Sequence, residues 1–582
     1  MKTFVRIAYC LLALTATSAV QAQVLDQAPA GSLVVIKVSN IAATSAKLTA
    51  FFQTRGFAAL MGDMAHPLSF GMTQLGIKQG VDQNGDMAIA VVDDGKGSLD
   101  GNQPPLVCLI PVNDYKAFVG NFANNSIEDG LDVLPIPNQP TPLFSTSWGK
   151  YAAVSQMKSL ILTKPTGVAL TGATAKLVAG SDISIWLDGV ALNKKMQPTL
   201  QEIRGNMSQI VTMLPMANQK MAPVFTAYLT QVFNGFDQVL SDAQAMSIAL
   251  NIDPDDIKAT ALTEYTPDSY MAKLTASFKG TDTSMLEGLP AGDYVAAGGI
   301  QMESDQLQTW LDDMINPIQK AAVDCGKDGQ DLSDDLDSLK KTMLAQKGAS
   351  MELSSTTKPA IISICTGDAA AMKAAEARTV SSSNDISRLM STTGNGQSHI
   401  TVKPNAKTVG GISFDAITTT VDNLDPNAAE RLNALPGPLG QIMRAATSPD
   451  GSTAYYGQID ADRIISVANV SDDQLTAILA DIEAKNAPLA ADKALSSTAD
   501  LLPKTRIMAF YVRRPGSPID EAPLGIAIST DANTVRTDVV IPGAMATAMV
   551  QGAITLMQHV AAPANDNPAV TQPPPPMPGG GL

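Results

Sequence analysis

Pro29-Ala30-Gly31-Ser32-Leu33-Val34-Val35-Ile36-Lys37-Val38 reads as a Pro-Gly turn that opens a β-strand, and Ala42 to Phe52 behind it carries a helix-like pattern. The same grammar returns at Pro290-Ala291-Gly292-Asp293-Tyr294-Val295, followed by a helix-like Ser304 to Ile315. Proline presets the φ of a turn and glycine supplies positive φ. The β-branched run that follows suits a pleated, half-buried surface. The pairing predicts a chain that opens the same unit twice.

Four further pairs keep the same order. Pro359 to Ile364 with Gly367-Asp368 echoes Pro105 to Asp114, and Tyr455 to Asp460 echoes Ile183 to Asp188. Leu524 to Asp531 echoes Met246 to Asp253, and Val539 to Pro542 with its helix echoes Leu262 to Pro267 with its helix. Two long units fit better than a many-unit solenoid. The expected fold is α+β: two similar lobes from internal duplication, each a mostly antiparallel sheet with packed helices. The lobes are placed at residues 23–283 and 284–562, with the boundary in the polar connection Lys279 to Gly288.

Other segments follow from local chemistry. Met246 to Leu250 and Ile257 to Leu262 read as a hairpin turning at Asp253-Pro254-Asp255-Asp256. Asn113-Asp114 suits a helix cap before Tyr115 to Phe122, and Asp182 to Asp188 reads as an alternating strand ending at an acidic cap. Trp148 to Ser155 reads as one strand, Ile127 to Pro142 as a Pro-rich connection, and Ala65-His66-Pro67 as a polar loop. Leu192 to Ala243 reads as mostly helical, with Ile203, Met207, Ile210, Val211 and Leu214 at helical spacing. That stripe is read as core-facing, with a Met-lined ligand groove as the second reading.

The 582 residues exceed what one hydrophobic core supports. Aromatics are only 5%, so 26 Met and the aliphatic residues must fill the interior. A net charge of −16 without basic runs argues against nucleic acid, whose phosphates need Lys/Arg patches. Met1 to Arg6 carries Lys2 and Arg6, Ile7 to Ala16 is apolar, and Val20-Gln21-Ala22 places small residues at a cleavage site. Residues 1–22 therefore read as a signal peptide, with the mature chain starting near Gln23 in a bacterial periplasm or outside the cell. The run is too short for a transmembrane anchor. Val539 to Ala562 lacks charge, but Pro542, Gly543, Gln551 and Gly552 interrupt it, and it reads as strand plus helix. Residues 563–582, with Pro573 to Pro576 and Gly579 to Gly581, read as a disordered tail.

Reactive chemistry is sparse. His66, His399 and His559 are scattered, and no zinc spacing, nucleophile elbow or phosphate loop is present. Asp82, Asn84 and Asp86 only partly follow a calcium loop, because Met87 stands where that loop needs glycine. No catalytic, cofactor or metal residues are assigned. The acidic pairs Asp93-Asp94, Asp255-Asp256 and Asp334-Asp335 flank turns or exposed faces, and Trp148 and Trp186 sit on strands. Cys108 lies in a buried-strand pattern and reads as an inert thiol. A Cys325–Cys365 disulfide stays open, because spacing does not fix their distance.

The strand-helix opening, Gly149-Lys150-Tyr151-Ala152-Ala153-Val154-Ser155 and Asp182-Ile183-Ser184-Ile185-Trp186-Leu187-Asp188 resemble uncharacterised secreted bacterial proteins of the domain-of-unknown-function type. The resemblance implies an exported α+β protein and no activity. The favoured function is an exported, non-catalytic binding or envelope-associated protein. The alternatives are a carrier of apolar ligands and a carboxylate-based hydrolase. The expected partner is an apolar ligand or an envelope protein.

Overall fold

The computed structural model describes residues 24–93, 105–136, 141–164, 167–168, 170–207, 209, 221–281, 285–354, 359–375, 397–422 and 452–561. The leader read at 1–22 and the tail read at 563–582 lie outside the described residues. The first half holds strands β1 (Ser32–Val38), β2 (Met87–Val92), β3 (Leu106–Pro111), β4 (Ser126–Glu128), β5 (Leu131–Leu134), β6 (Leu143–Trp148), β7 (Tyr151–Ser155), β8 (Ile183–Asp188), β9 (Ala243–Ile252) and β10 (Asp256–Tyr265). The second holds β11 (Tyr294–Gln301), β12 (Gln346–Ser354), β13 (Ile361–Gly367), β14 (Gln397–Val409), β15 (Ile412–Asp422), β16 (Ser452–Gln458), β17 (Arg463–Ala468), β18 (Met508–Val512), β19 (Leu524–Asp531) and β20 (Thr534–Pro542). The described helices are α1 (Ile41–Thr54), α2 (Ala58–Met61), α3 (Pro67–Leu75), α4 (Tyr115–Val119), α5 (Gly172–Ala179), α6 (Gly189–Gly205), α7 (Ala222–Asp242), α8 (Tyr270–Ser277), α9 (Leu307–Val323), α10 (Lys327–Ala345), α11 (Asp472–Glu483), α12 (Lys493–Ala499) and α13 (Gly543–Ala561).

All twenty strands belong to one antiparallel sheet. Its order is β4-β5-β6-β7-β3-β2-β1-β8-β9-β10-β20-β19-β18-β11-β12-β13-β17-β16-β15-β14. Counted from each edge to the middle, the second half repeats the order of the first, with ten added to every label. The expected α+β class holds. The expected separate sheets do not: β10 and β20 pair from Asp256↔Pro542 to Glu264↔Thr534 and join the halves edge to edge.

Register assigns counterparts within the sheet. Ala249↔Thr260 on β9 and β10 matches Ala527↔Asp538 on β19 and β20. Thr260 and Asp538 are thus counterparts, and they also face each other across the central seam. The opening pair holds its place, since β1 and β11 each pair with two corresponding neighbours. One pairing read from the sequence is corrected. Tyr455 to Asp460 covers most of β16, which lies between β15 and β17 as β6 lies between β5 and β7. The strand in the place of β8 is β18. A strand ending in aspartate recurs wherever a strand runs into a cap or turn, so the pattern does not fix a position.

Three local readings also change. Trp148 to Ser155 is the end of β6, a turn and β7, because Gly149 at φ +68° reverses the chain. The connection Ile127 to Pro142 contains most of β4 and all of β5. The loop at His66-Pro67 begins α3, with Pro67 in the first turn, where its missing N–H costs no hydrogen bond. The caps behave as read: Asp114 accepts from the Ala117 N–H and Asp188 from the Ala191 N–H, opening α4 and α6. Met246 to Leu262 is the β9–β10 hairpin. Among the described residues no helix is long and apolar enough to cross a membrane.

The main cores lie on one face of the sheet. Around β11, β13 and β17 to β20, α11 and α12 bury Leu475, Ile478, Ile482 and Leu495 against Ala297, Ile465, Tyr511 and Val540. Around β1, β2, β3, β7 and β8, Val35, Ala90, Leu109, Ala153 and Trp186 pack with Val178 of α5. Burying each such aliphatic side chain contributes about 1.5–3 kcal/mol.

Candidate functional site

The opposite face of the central strands is the unusual surface. Antiparallel strands with one buried face ordinarily turn polar residues outward. Here a cross-strand row runs Ile89, Ile36, Ile185, Ile248, Ala261, Thr537, Ile528, Met508, Ile300 and Ala349, from β2 through the seam to β12. The row beside it holds Val38, Ile183, Leu250, Ala259, Val539, Ile526, Phe510, Gly298 and Met351. Neither row contains a charged residue. Most positions are half-buried or exposed, while their neighbours along each strand are buried. Ile248 is 45% exposed and Met351 37%. At about 4.8 Å per strand, ten strands span roughly 40 Å.

Helices bound this face at both ends. Phe51 of α1 and Ala546 of α13 pack with Ile183, Ile257 and Ile541 at one end. Val239 of α7 and Ala272 of α8 pack with Met246 and Val535 at the other. Between these clusters Ile36, Ile185, Ile248 and Ile528 belong to no core cluster of the described residues. Tyr228, Val232 and Phe236 add an exposed stripe at four-residue spacing on α7. The sequence held no clear signal for this surface. A strand apolar at every position reads as buried on both sides.

The residues singled out by chemistry do not assemble into a centre. His66 stands at the cap of α3 and His399 on β14, in different halves; the side chain of His559 lies outside the described residues. Asp86 accepts from the Asn40 N–H and pairs with buried Lys37 at 3.3 Å, so the partial calcium loop is a structural anchor. Asp255 meets Arg55 at 3.2 Å beside the β9–β10 turn, and burial raises the Asp256 carboxyl above its ordinary range, helped by Asp253 and Asp255. Asp94 lies outside the described residues. Trp148 and Trp186 share one core cluster, as their strand positions suggested.

Cys325 and Cys365 are free thiols and are not brought together. Cys325 follows α9, packs with Ala322 and Leu332, and donates to the Ala321 carbonyl at 3.2 Å. Cys365 lies on β13 beside Met372 and Ile464. Burial pushes the Cys108 thiol up to about 12 and raises Cys325 and Cys365 as well. None has the lowered value that a thiolate nucleophile needs. Of the Met-stripe residues, Ile203 is half-buried on α6 and Met207 is buried; Ile210, Val211 and Leu214 lie outside the described residues. Comparison with protein-family models, curated proteins and solved structures found no match to this chain.

Proposed function

We propose that this protein is an exported, non-catalytic binding protein whose apolar sheet face carries an apolar ligand with acyl-chain character. One observation carries the reading: ten adjacent strands present uncharged, partly exposed residues opposite the core. A contiguous apolar surface of that width is far larger than the scattered hydrophobes of an ordinary exterior. Helical clusters at both ends favour a ligand lying along a trough. The lack of charge favours a chain over a headgroup. The identical strand order of the halves supports an origin by duplication, with the trough running across both products.

The test uses the full chain with dansyl-labelled undecanoic acid. Saturable binding is expected. Ile248→Asp and Ile528→Asp should each weaken it about ten-fold or more, because a carboxylate there must be desolvated against the ligand. Absence of binding by the wild type, or binding as tight as the wild type's in both variants, overturns the reading. Export has its own measurement: N-terminal sequencing of protein from the producing cell should start near Gln23, and an intact Met1 refutes it.

A further inference from the structure

On the core side, where β8 runs out at Asp188, lies a cavity of about 380 Å³. Ser32, Thr174, Trp186, Asp188, Gln244 and Glu264 line it, and among the described residues no lysine or arginine does. Each carboxylate uses one oxygen to cap a helix. Asp188 Oδ1 accepts the Ala191 N–H at 2.9 Å. Glu264 Oε2 accepts from the N–H groups of Ala173 and Thr174 at 3.1 and 3.3 Å and from the Thr174 hydroxyl at 3.3 Å. Gly172, at φ +73°, opens the way, since a Cβ there would collide with Glu264 Oε1. Among the described residues, no group bonds Asp188 Oδ2 or Glu264 Oε1. The Trp186 ring is 7% exposed and its N–H has no partner.

The counterpart place in the second half is filled by the protein itself. Val35↔Trp186 corresponds to Ala297↔Tyr511, which makes Arg513 the counterpart of Asp188. Tyr294 stands at the position of Ser32, at matching bulges. Arg513 is 2% exposed. Its guanidinium lies 4.4 Å from the centroid of the Tyr294 ring. Its Nη2 donates to both oxygens of Asp492 at 3.0 and 3.2 Å, while Asp492 caps α12 through the Leu495 N–H. There, a helix-capping carboxylate, an aromatic ring and a guanidinium form one packed unit. In the first half Glu264 supplies the capping carboxylate, Ser32 stands where Tyr294 does, Trp186 takes the place of Tyr511, a second carboxylate, Asp188, replaces the arginine, and space stands open.

We propose that this cavity binds a guanidinium group supplied from outside, held between Asp188 and Glu264 beside Trp186. A guanidinium is planar, offers five N–H donors and stacks on aromatic faces, which matches two acceptor oxygens and the face of the indole better than a compact ammonium does; it carries no acceptor, so the Trp186 N–H is not one of its partners.

Calorimetry on the full chain with agmatine tests this, with succinate and glucose as comparators. Saturable binding of agmatine alone is expected. Asp188→Asn keeps a capping side chain and should weaken binding roughly ten-fold or more, as should Glu264→Gln. Asp188→Arg copies the second half and should abolish binding. N-acetylarginine amide and an arginine-containing hexapeptide form the second arm: tighter peptide binding assigns the group to a protein partner, and tighter agmatine binding to a free metabolite. No agmatine binding, binding unchanged in Asp188→Asn and Glu264→Gln, or preference for glucose overturns the proposal. The outcome is independent of the acyl-probe experiment, because cavity and trough lie on opposite faces of the sheet.

Discussion

The two halves of the sheet share strand order and place different charges at counterpart positions of the same buried face. Lys37 on β1, 1% exposed, pairs with Asp86 and donates to the Val178 carbonyl at 3.3 Å. By register its counterpart is Gly299 on β11, opposite Ser350 and Ala509. Ala90 on β2 corresponds to Glu352 on β12, 4% exposed. Asp188 corresponds to Arg513, and Thr260 to Asp538. Buried charge is therefore not a requirement of this strand order. Lys37 and Arg513 are held by partners within their own halves, whereas Asp538 draws partners from both sides of the seam, and a single removal should act where those partners are left behind.

The largest effect is expected at the seam, where the comparison is tightest. Asp538 is fully buried and accepts from Thr260 Oγ1 at 2.7 Å and from Arg536 Nε and Nη2 at 2.6 and 2.8 Å. Lys258, the counterpart of Arg536, lies 3.6 Å away. Burial pushes the Asp538 carboxyl up, but the hydrogen bonds from Arg536 and Thr260 and the charges of Arg536 and Lys258 outweigh it and hold the carboxyl below its ordinary value. Asp538→Ala should lose about 3–5 kcal/mol in chemical denaturation, with Arg536 left uncompensated. Asp538→Thr, which copies Thr260, should lose less. The sign with pH follows from the lowered value: this stability is present above the unfolded carboxylate range and disappears as acid protonates the folded group. A loss below about 1 kcal/mol would mean that the seam is held by backbone pairing alone.

How far the sequence revealed this arrangement depends on range. The β1–α1 opening, the β9–β10 hairpin and the Asp114 and Asp188 caps were legible because turns, alternation and caps act within a few residues. The joining of β10 to β20 was not. It pairs residues far apart in the chain, and nothing in either strand's pattern excludes a solvent-facing edge. The trough was hidden because Ile36 and Ile185 look the same in sequence whether a helix or solvent lies above them. Asp188 and Glu264 seemed unrelated acidic residues until the β8-β9-β10 order brought their strands into one neighbourhood. Arg513 gave no signal beyond a basic pair with Arg514.

Glu352 sharpens the comparison through pH. Burial raises its carboxyl from an ordinary 4.5 to about 7, and one of its oxygens has no partner. The folded protein keeps a proton that the unfolded chain releases, so this stability is full below about 4.5 and is lost as pH rises to about 7. Glu352→Gln removes that loss. It should be nearly neutral at pH 4 and stabilise the fold by about 2–3 kcal/mol at pH 8. Denaturation at the two pH values checks this, and equal effects at both would show that the carboxylate finds solvent or a cation as it ionises.

The smallest effect separates the two ways of capping α5 and α12, the helices that precede β8 and β18, which hold the same place in the strand order. In α12 Asp492 caps its own helix, and the first residue, Lys493, needs no positive φ. In α5 the Thr171 side chain makes no cap bond, and Glu264 arrives from β10 over Gly172 at φ +73°. Gly172→Ala strains the backbone and pushes the carboxylate off the helix N-terminus, so it should cost about 1–2 kcal/mol. It should also weaken guanidinium binding. In a Glu264→Gln background part of that cost remains as backbone strain and part vanishes with the displaced charge, so the double-mutant cycle should be non-additive. Lys493→Gly, its counterpart, should cost only a few tenths of a kcal/mol at the first turn of a helix that carries its own cap. Equal losses at the two glycine-for-side-chain swaps would mean that Glu264 contributes nothing to holding α5, and the distinction between a cap built into the helix and one delivered by the sheet would fall.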